Sequence, residues 1–130
     1  MTMLQILPVL AYATAIAVVW MIATEKTASP TVRWAFPAIL AALFLVFSLL
    51  TVAQDGLLQF WTNHTTNLAG NQVWFDLVMG IVIGFYLIAP RARAVGMPLL
   101  PWGIAVTTTA CIALLPMLAR LIWLEQRSKG

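Results

Sequence analysis

Apolar residues in this chain fall in long unbroken runs rather than in alternation. Four windows reach the length of a membrane-crossing helix, residues 3–24, 34–53, 73–89 and 99–124. A bilayer's hydrocarbon takes roughly 20 residues, each rising about 1.5 Å. Among the four windows only the last contains a Lys or Arg, namely Arg120. No stretch shows the period of a barrel strand, and hydrocarbon gives the backbone no hydrogen-bond partner, so helices are the spanning form. The pattern predicts an all-α polytopic membrane protein, a four-transmembrane-helix bundle forming a single domain over residues 1–130.

Breakers and aromatic residues sharpen the boundaries. Ser29-Pro30 separates the first two helices, Pro90 is expected to end the third, and Pro98 and Pro101 open the fourth after a turn containing Gly96. So short a connection makes the third and fourth helices antiparallel neighbours. Pro8 and Pro37 are expected in first turns, where a missing N–H costs little, and Pro116 lies inside its span. Trp20, Trp34, Trp74, Trp102 and Trp123 fall near the helix ends, as an interfacial belt requires, with Trp61 in the longest connection. That connection is the most polar part of the chain. Its Leu57, Leu58, Phe60 and Trp61 suit either a short interfacial helix or an irregular loop anchored by aromatics.

Composition agrees. The 130 residues are 62% hydrophobic and 8% charged, with a mean hydropathy of +0.95, whereas about a quarter of a soluble domain is charged. Met1 to Pro8 carries no Lys or Arg. The first run therefore reads as a retained helix with its N-terminus outside, not as a signal peptide. Lys26 and Arg33, then Arg91 and Arg93, place the first and third connections in the cytoplasm. Arg127 and Lys129 then fall outside, against the same rule. The expected location is the cell inner (cytoplasmic) membrane of a bacterium, with the lipid bilayer as solvent.

Candidate chemistry is sparse. Cys111 lies alone in mid-span, so it forms no internal disulfide and reads as a small apolar filler. His64, within Asn63-His64-Thr65, is either a cofactor ligand for haem or pigment or a solvated loop side chain. The same three residues fit a glycosylation sequon. No motif for a metal, a nucleotide or nucleic acid is present, and no cofactor is expected. Asp76 is the exception, a carboxylate inside an apolar run. Three readings compete: a structural ion pair with Arg120 across the last hairpin, a catalytic acid or base, and an interfacial carboxylate near a helix N-terminus. Gly80 and Gly84 follow Asp76 on one stripe, a helix-packing groove for the fourth helix, the first helix or a second protomer.

The segment Asp76-Leu77, the loop from Pro90 to Met97, Leu115-Pro116 and Arg120 resembles a family of small, uncharacterised bacterial integral membrane proteins built on a domain of unknown function. The resemblance covers residues 76–125. Phe75-Asp76-Leu77-Val78-Met79-Gly80 ahead of a basic loop also resembles the neoxanthin-synthase-related membrane family. That family's Trp-x-His before the Phe and its Gly-Pro in the last helix are missing here. The second resemblance implies an isoprenoid or carotenoid substrate beside Asp76; the first implies no mechanism.

Three functions fit these features. The expected one is a non-catalytic accessory or scaffold subunit that packs on other membrane protein subunits or on itself. The second is a membrane enzyme or binding protein for a lipid or isoprenoid, with Asp76 as acid or base and Arg120 or Tyr86 as its polar partner. The third is a small dimeric transporter, for which the run Thr107 to Thr109 supplies the mid-span polar groups.

Overall fold

The computed structural model describes residues 2–24 and 34–128. They form six helices: α1 Met3–Thr24, α2 Ala35–Asp55, α3 Leu58–Thr65, α4 Leu68–Ala94, α5 Leu99–Thr109 and α6 Cys111–Arg127. The all-α expectation holds. Three of the six, α1, α2 and α4, are long and apolar enough to cross a membrane. The connection 25–33, with Lys26, Ser29-Pro30 and Arg33, lies outside the described residues, as does Lys129.

Helix α4 outgrows its expected span at both ends. It starts five residues early because Asn67, with extended backbone, caps it: the Asn67 side chain accepts from the Gly70 N–H at 2.8 Å. It also continues through Pro90, which was expected to stop it. A proline deprives one carbonyl of its donor but leaves the φ angle helical, and the remaining turn closes by another device. At Gly96 (φ 74°) the N–H donates to the Arg93 carbonyl at 3.0 Å, and the Met97 N–H reaches back to Ala92 at 2.9 Å. This is a Schellman ending, sealed by contact between two buried side chains, Ala92 and Met97. Pro37 falls in the first turn of α2 as expected, whereas Pro8 falls in the second turn of α1.

The largest correction concerns residues 99–124. They do not form one helix. The chain breaks at Ala110, whose φ of 53° and ψ of −126° leave the helical region. A non-glycine residue there costs about 1–3 kcal/mol and persists only where neighbours hold it. Ala110 donates its N–H to the Val106 carbonyl at 2.8 Å and accepts from the N–H groups of Ala113 and Leu114. Register across the bundle then gives the direction of each piece. Gly103 of α5 faces Phe85 of α4, Gly84 of α4 faces Leu114 of α6, and Arg91 of α4 pairs with Glu125 of α6. So α5 runs antiparallel to α4, as expected, but α6 turns back and runs parallel to it. Residues 99–127 are a helical hairpin.

That hairpin closes the core against α4. Ile88 and Ala92 of α4, Met97 of the turn, Val106 of α5, and Ala113, Met117 and Leu121 of α6 form one buried cluster. Helix α6 is the hub, packing on α2, α4 and α5. By contrast, no residue in the apolar window of α1 is buried.

The glycine stripe divides in two. A Cβ on Gly84 would lie 3.0 Å from Leu114 Cδ2, whereas one on Gly80 would meet nothing within 4 Å. Replacement of Gly84 by Leu overpacks the α4–α6 seam and is expected to destabilise the fold by about 1–3 kcal/mol. The same change at Gly80 is expected to stay within about 1 kcal/mol, helped by better helix propensity. Unfolding of each variant in mixed micelles, followed by far-UV circular dichroism, checks the difference.

Candidate functional site

The bundle holds its ion pair and its stacked guanidinium at one end. At the C-terminal end of α4, Arg91 makes a two-pronged contact with Glu125: Nε to Oε1 at 2.8 Å and Nη2 to Oε2 at 2.6 Å. Both side chains remain partly exposed, 48% and 27%. The planar guanidinium matches the carboxylate, so the contact sets the register of α6 along α4 in addition to its charge. In the sequence Arg91 bears on orientation and on the basic loop of the family resemblance, not on a pair with Glu125. The signal for the pair was present, since Glu125 is the last of four acidic residues in the chain, but a continuous fourth helix would have carried it to the opposite end.

That same continuous helix produced the Asp76–Arg120 expectation, which the structure corrects. Among the described residues the ion pair is Arg91–Glu125, and Asp76 and Arg120 do not meet. With α4 and α6 parallel and Gly84 opposite Leu114, Asp76 lies about 12 Å along the axis in one direction and Arg120 about 9 Å in the other. Both side chains are exposed. Tyr86, the alternative partner of Asp76, is 75% exposed. Among the described residues no group of three or more His, Cys, Asp or Glu side chains comes together as a metal site would require.

Arg120 instead lines a groove of about 470 Å³ between α2, α5 and α6. Three tryptophans converge there, Trp34 before α2, Trp102 of α5 and Trp123 of α6, over walls of Ala38, Ala41, Pro116 and Ala119. The Arg127 guanidinium stacks over the Trp123 ring at 4.3 Å from its centroid, a cation–π contact. These tryptophans were expected at helix ends; the hairpin is what brings Trp102 and Trp123, 21 positions apart in the sequence, onto one groove.

At the opposite end α3 packs on the start of α4. Gly70 permits the contact, because a Cβ there would lie 2.8 Å from the Asn63 carbonyl oxygen. His64 is absorbed in this contact: its Nδ1 donates to the Phe60 carbonyl at 2.6 Å, and its ring lies 5.6 Å from that of Trp74. Asn71 Nδ2 donates to the His64 carbonyl at 2.9 Å. The connection is thus a short helix rather than an irregular loop.

The Thr107–Thr109 run has a backbone role. Each hydroxyl donates to a carbonyl one turn back, Thr107 to Gly103 at 2.9 Å, Thr108 to Ile104 at 2.9 Å and Thr109 to Ala105 at 2.7 Å. Back-bonding of this kind bends and loosens a helix, and here it directly precedes the break. Cys111, the first residue of α6, is a half-buried free thiol.

Because Asp76 has no ion partner among the described residues, Asp76→Asn is expected to change stability by no more than about 0.5 kcal/mol. A double-mutant cycle between Arg91→Ala and Glu125→Ala is expected to give a coupling of about 0.5–1 kcal/mol at low salt. Micellar unfolding of the variants measures both. No family model, no curated protein and no solved structure matches the chain.

Proposed function

We propose that the chain is a multi-pass protein of the bacterial inner membrane that serves as a non-catalytic accessory or scaffold subunit of a larger membrane complex. The observation that carries this reading is the exposed helix break between α5 and α6. Helix α5 is 11 residues long, so it ends about 16 Å from its start, midway through a hydrocarbon layer. A helix that stops leaves its last carbonyls unpaired, and the helix that follows leaves its first N–H groups unpaired. Ala110 satisfies part of this requirement, while Thr107, Thr108 and Thr109 are exposed. Irregular backbone at membrane depth is tolerated against protein or water, not against lipid. A partner protein over the hairpin tip meets that need. Helix α1, 22 residues long and mostly apolar, with none of its window buried, offers a second docking surface.

The hairpin also bears on orientation. It returns Arg127 to the end of the bundle that holds Arg91. Arg91 and Arg127, which a four-span topology places on opposite sides, then belong to one side, which the positive-inside rule assigns to the cytoplasm. In this arrangement the N-terminus is outside, α1, α2 and α4 cross, and the α5–α6 hairpin enters and leaves from the cytoplasmic face.

Two experiments test the reading. A photo-crosslinking residue at Thr108, followed by purification of the tagged protein from its native membrane in mild detergent, is expected to trap a larger integral membrane protein in stoichiometric yield. Crosslinks to lipid alone, with the chain purifying by itself, would overturn the subunit assignment; crosslinks to a second copy would replace it with a homo-oligomer. A fluorescent protein fused after Gly130 is expected to fluoresce, and alkaline phosphatase at the same point to be inactive. Active phosphatase would mean that residues 99–127 cross the membrane after all.

A further inference from the structure

We propose that the groove around Arg120 is a binding site for the headgroup of an anionic phospholipid. The argument rests on charge and shape. Among the described residues Arg120 lines the groove, and no carboxylate does. Among the described residues Arg120 has no ion-pair or hydrogen-bond partner, the ion pair there being Arg91–Glu125. A second guanidinium, Arg127, stacks on the face of Trp123, itself a lining residue. One positive charge therefore lines a cleft whose other walls are indole, alanine and proline, and a second is held against one of those indoles.

A guanidinium is a planar fork of donors suited to phosphate oxygens, and an indole carries one N–H donor on an apolar body. Trp34, Trp102 and Trp123 supply three such rings from three parts of the chain, in the arrangement that favours the headgroup level of a bilayer. The apolar walls, Ala38 and Ala41 on α2 and Pro116 on α6, continue from Arg120 along the seam between those helices. A soluble anion would leave these walls uncovered. A glycerophospholipid covers them with its first acyl carbons while its phosphate meets Arg120, so the membrane lipid is the occupant that matches both halves of the groove. A neutral-headgroup lipid carries a compensating ammonium that would face Arg120 and Arg127, and the site discriminates against it on that ground.

The test uses the purified full chain in detergent, titrated with dioleoyl phosphatidylglycerol or dioleoyl phosphatidylcholine and read by native mass spectrometry. Phosphatidylglycerol is expected to be retained preferentially. Arg120→Gln is expected to weaken its binding about five-fold, the value of one basic side chain at an anionic surface. Arg93→Gln, an exposed arginine outside the groove, is expected to change it less than two-fold. Equal retention of the two lipids, equal loss in both variants, or displacement of the lipid by 10 mM inorganic phosphate would overturn the proposal. Should Arg120→Gln fail to fold, wild-type protein decides: phosphatidylglycerol brominated near the top of its acyl chains quenches tryptophan fluorescence more than the matching brominated phosphatidylcholine if the site exists, and equally if it does not.

Discussion

A helix surrounded by apolar material stops only where its terminal carbonyls, and the N–H groups of whatever follows, find something to bond. In this chain that condition is met in the middle of what reads as a single apolar run. Ala110 takes a left-handed φ, gives its N–H to Val106 and offers its carbonyl to Ala113 and Leu114. Three threonine hydroxyls bond backward on the turn before it. Everything distinctive about the bundle follows from this reversal. Without it, α6 would not lie parallel to α4, Met117 and Leu121 would not close the core, and Arg91 would not reach Glu125.

The reversal also sorts the chain by charge. One end of the bundle carries Arg91, Arg93 and Arg127, with Arg120 one to two turns inward on α6 and three tryptophans around it. The other end carries α3, the asparagine cap of α4 and the His64–Trp74 contact, bonded through amides and carbonyls. Polar chemistry of the first kind suits anions and a charged surface; that of the second kind is internal to the α3–α4 corner. Asp76 belongs to neither. It projects from an exposed face of α4 beside the open side of Gly80, which is why the scaffold reading draws on the helix break and α1 rather than on this carboxylate.

How much of this was legible in the residues follows from what each signal measures. Run length and apolar content measure burial in hydrocarbon, and they located α1, α2 and the middle of α4 closely. They are blind to direction. The run 99–124 is apolar whether the chain crosses or doubles back, and Ala110 looks like a helix former. Its departure from helical φ goes with Val106 and Ala113 packing into one core, a tertiary arrangement that local propensity does not register. The Asp76–Arg120 pairing failed for that reason alone, since it counted residues along a helix that turns around. Proline misled in a similar way: Pro90 was weighed as a terminator, yet the actual stop is the αL glycine, Gly96, whose Schellman bonds depend on Ala92 and Met97 being buried together. The threonine run reads in the sequence as mid-span polarity, and its back-bonding onto carbonyls one turn away shows only in the fold. The one contradiction visible in advance was electrostatic: a four-span topology stranded Arg127 and Lys129 on the wrong side, and the hairpin removes the conflict for Arg127.

The account therefore stands on the direction of α6, and a distance measures direction. Spin labels at Arg93→Cys and Ser128→Cys, in a Cys111→Ala background, mark two exposed positions that flank the Arg91–Glu125 contact within about one turn each. Double electron–electron resonance on the protein in a lipid nanodisc is expected to give a single population below about 25 Å, allowing for the label arms. A continuous helix over 99–124 would separate the labels by about 40 Å or more, and that distance would contradict the hairpin and everything derived from it.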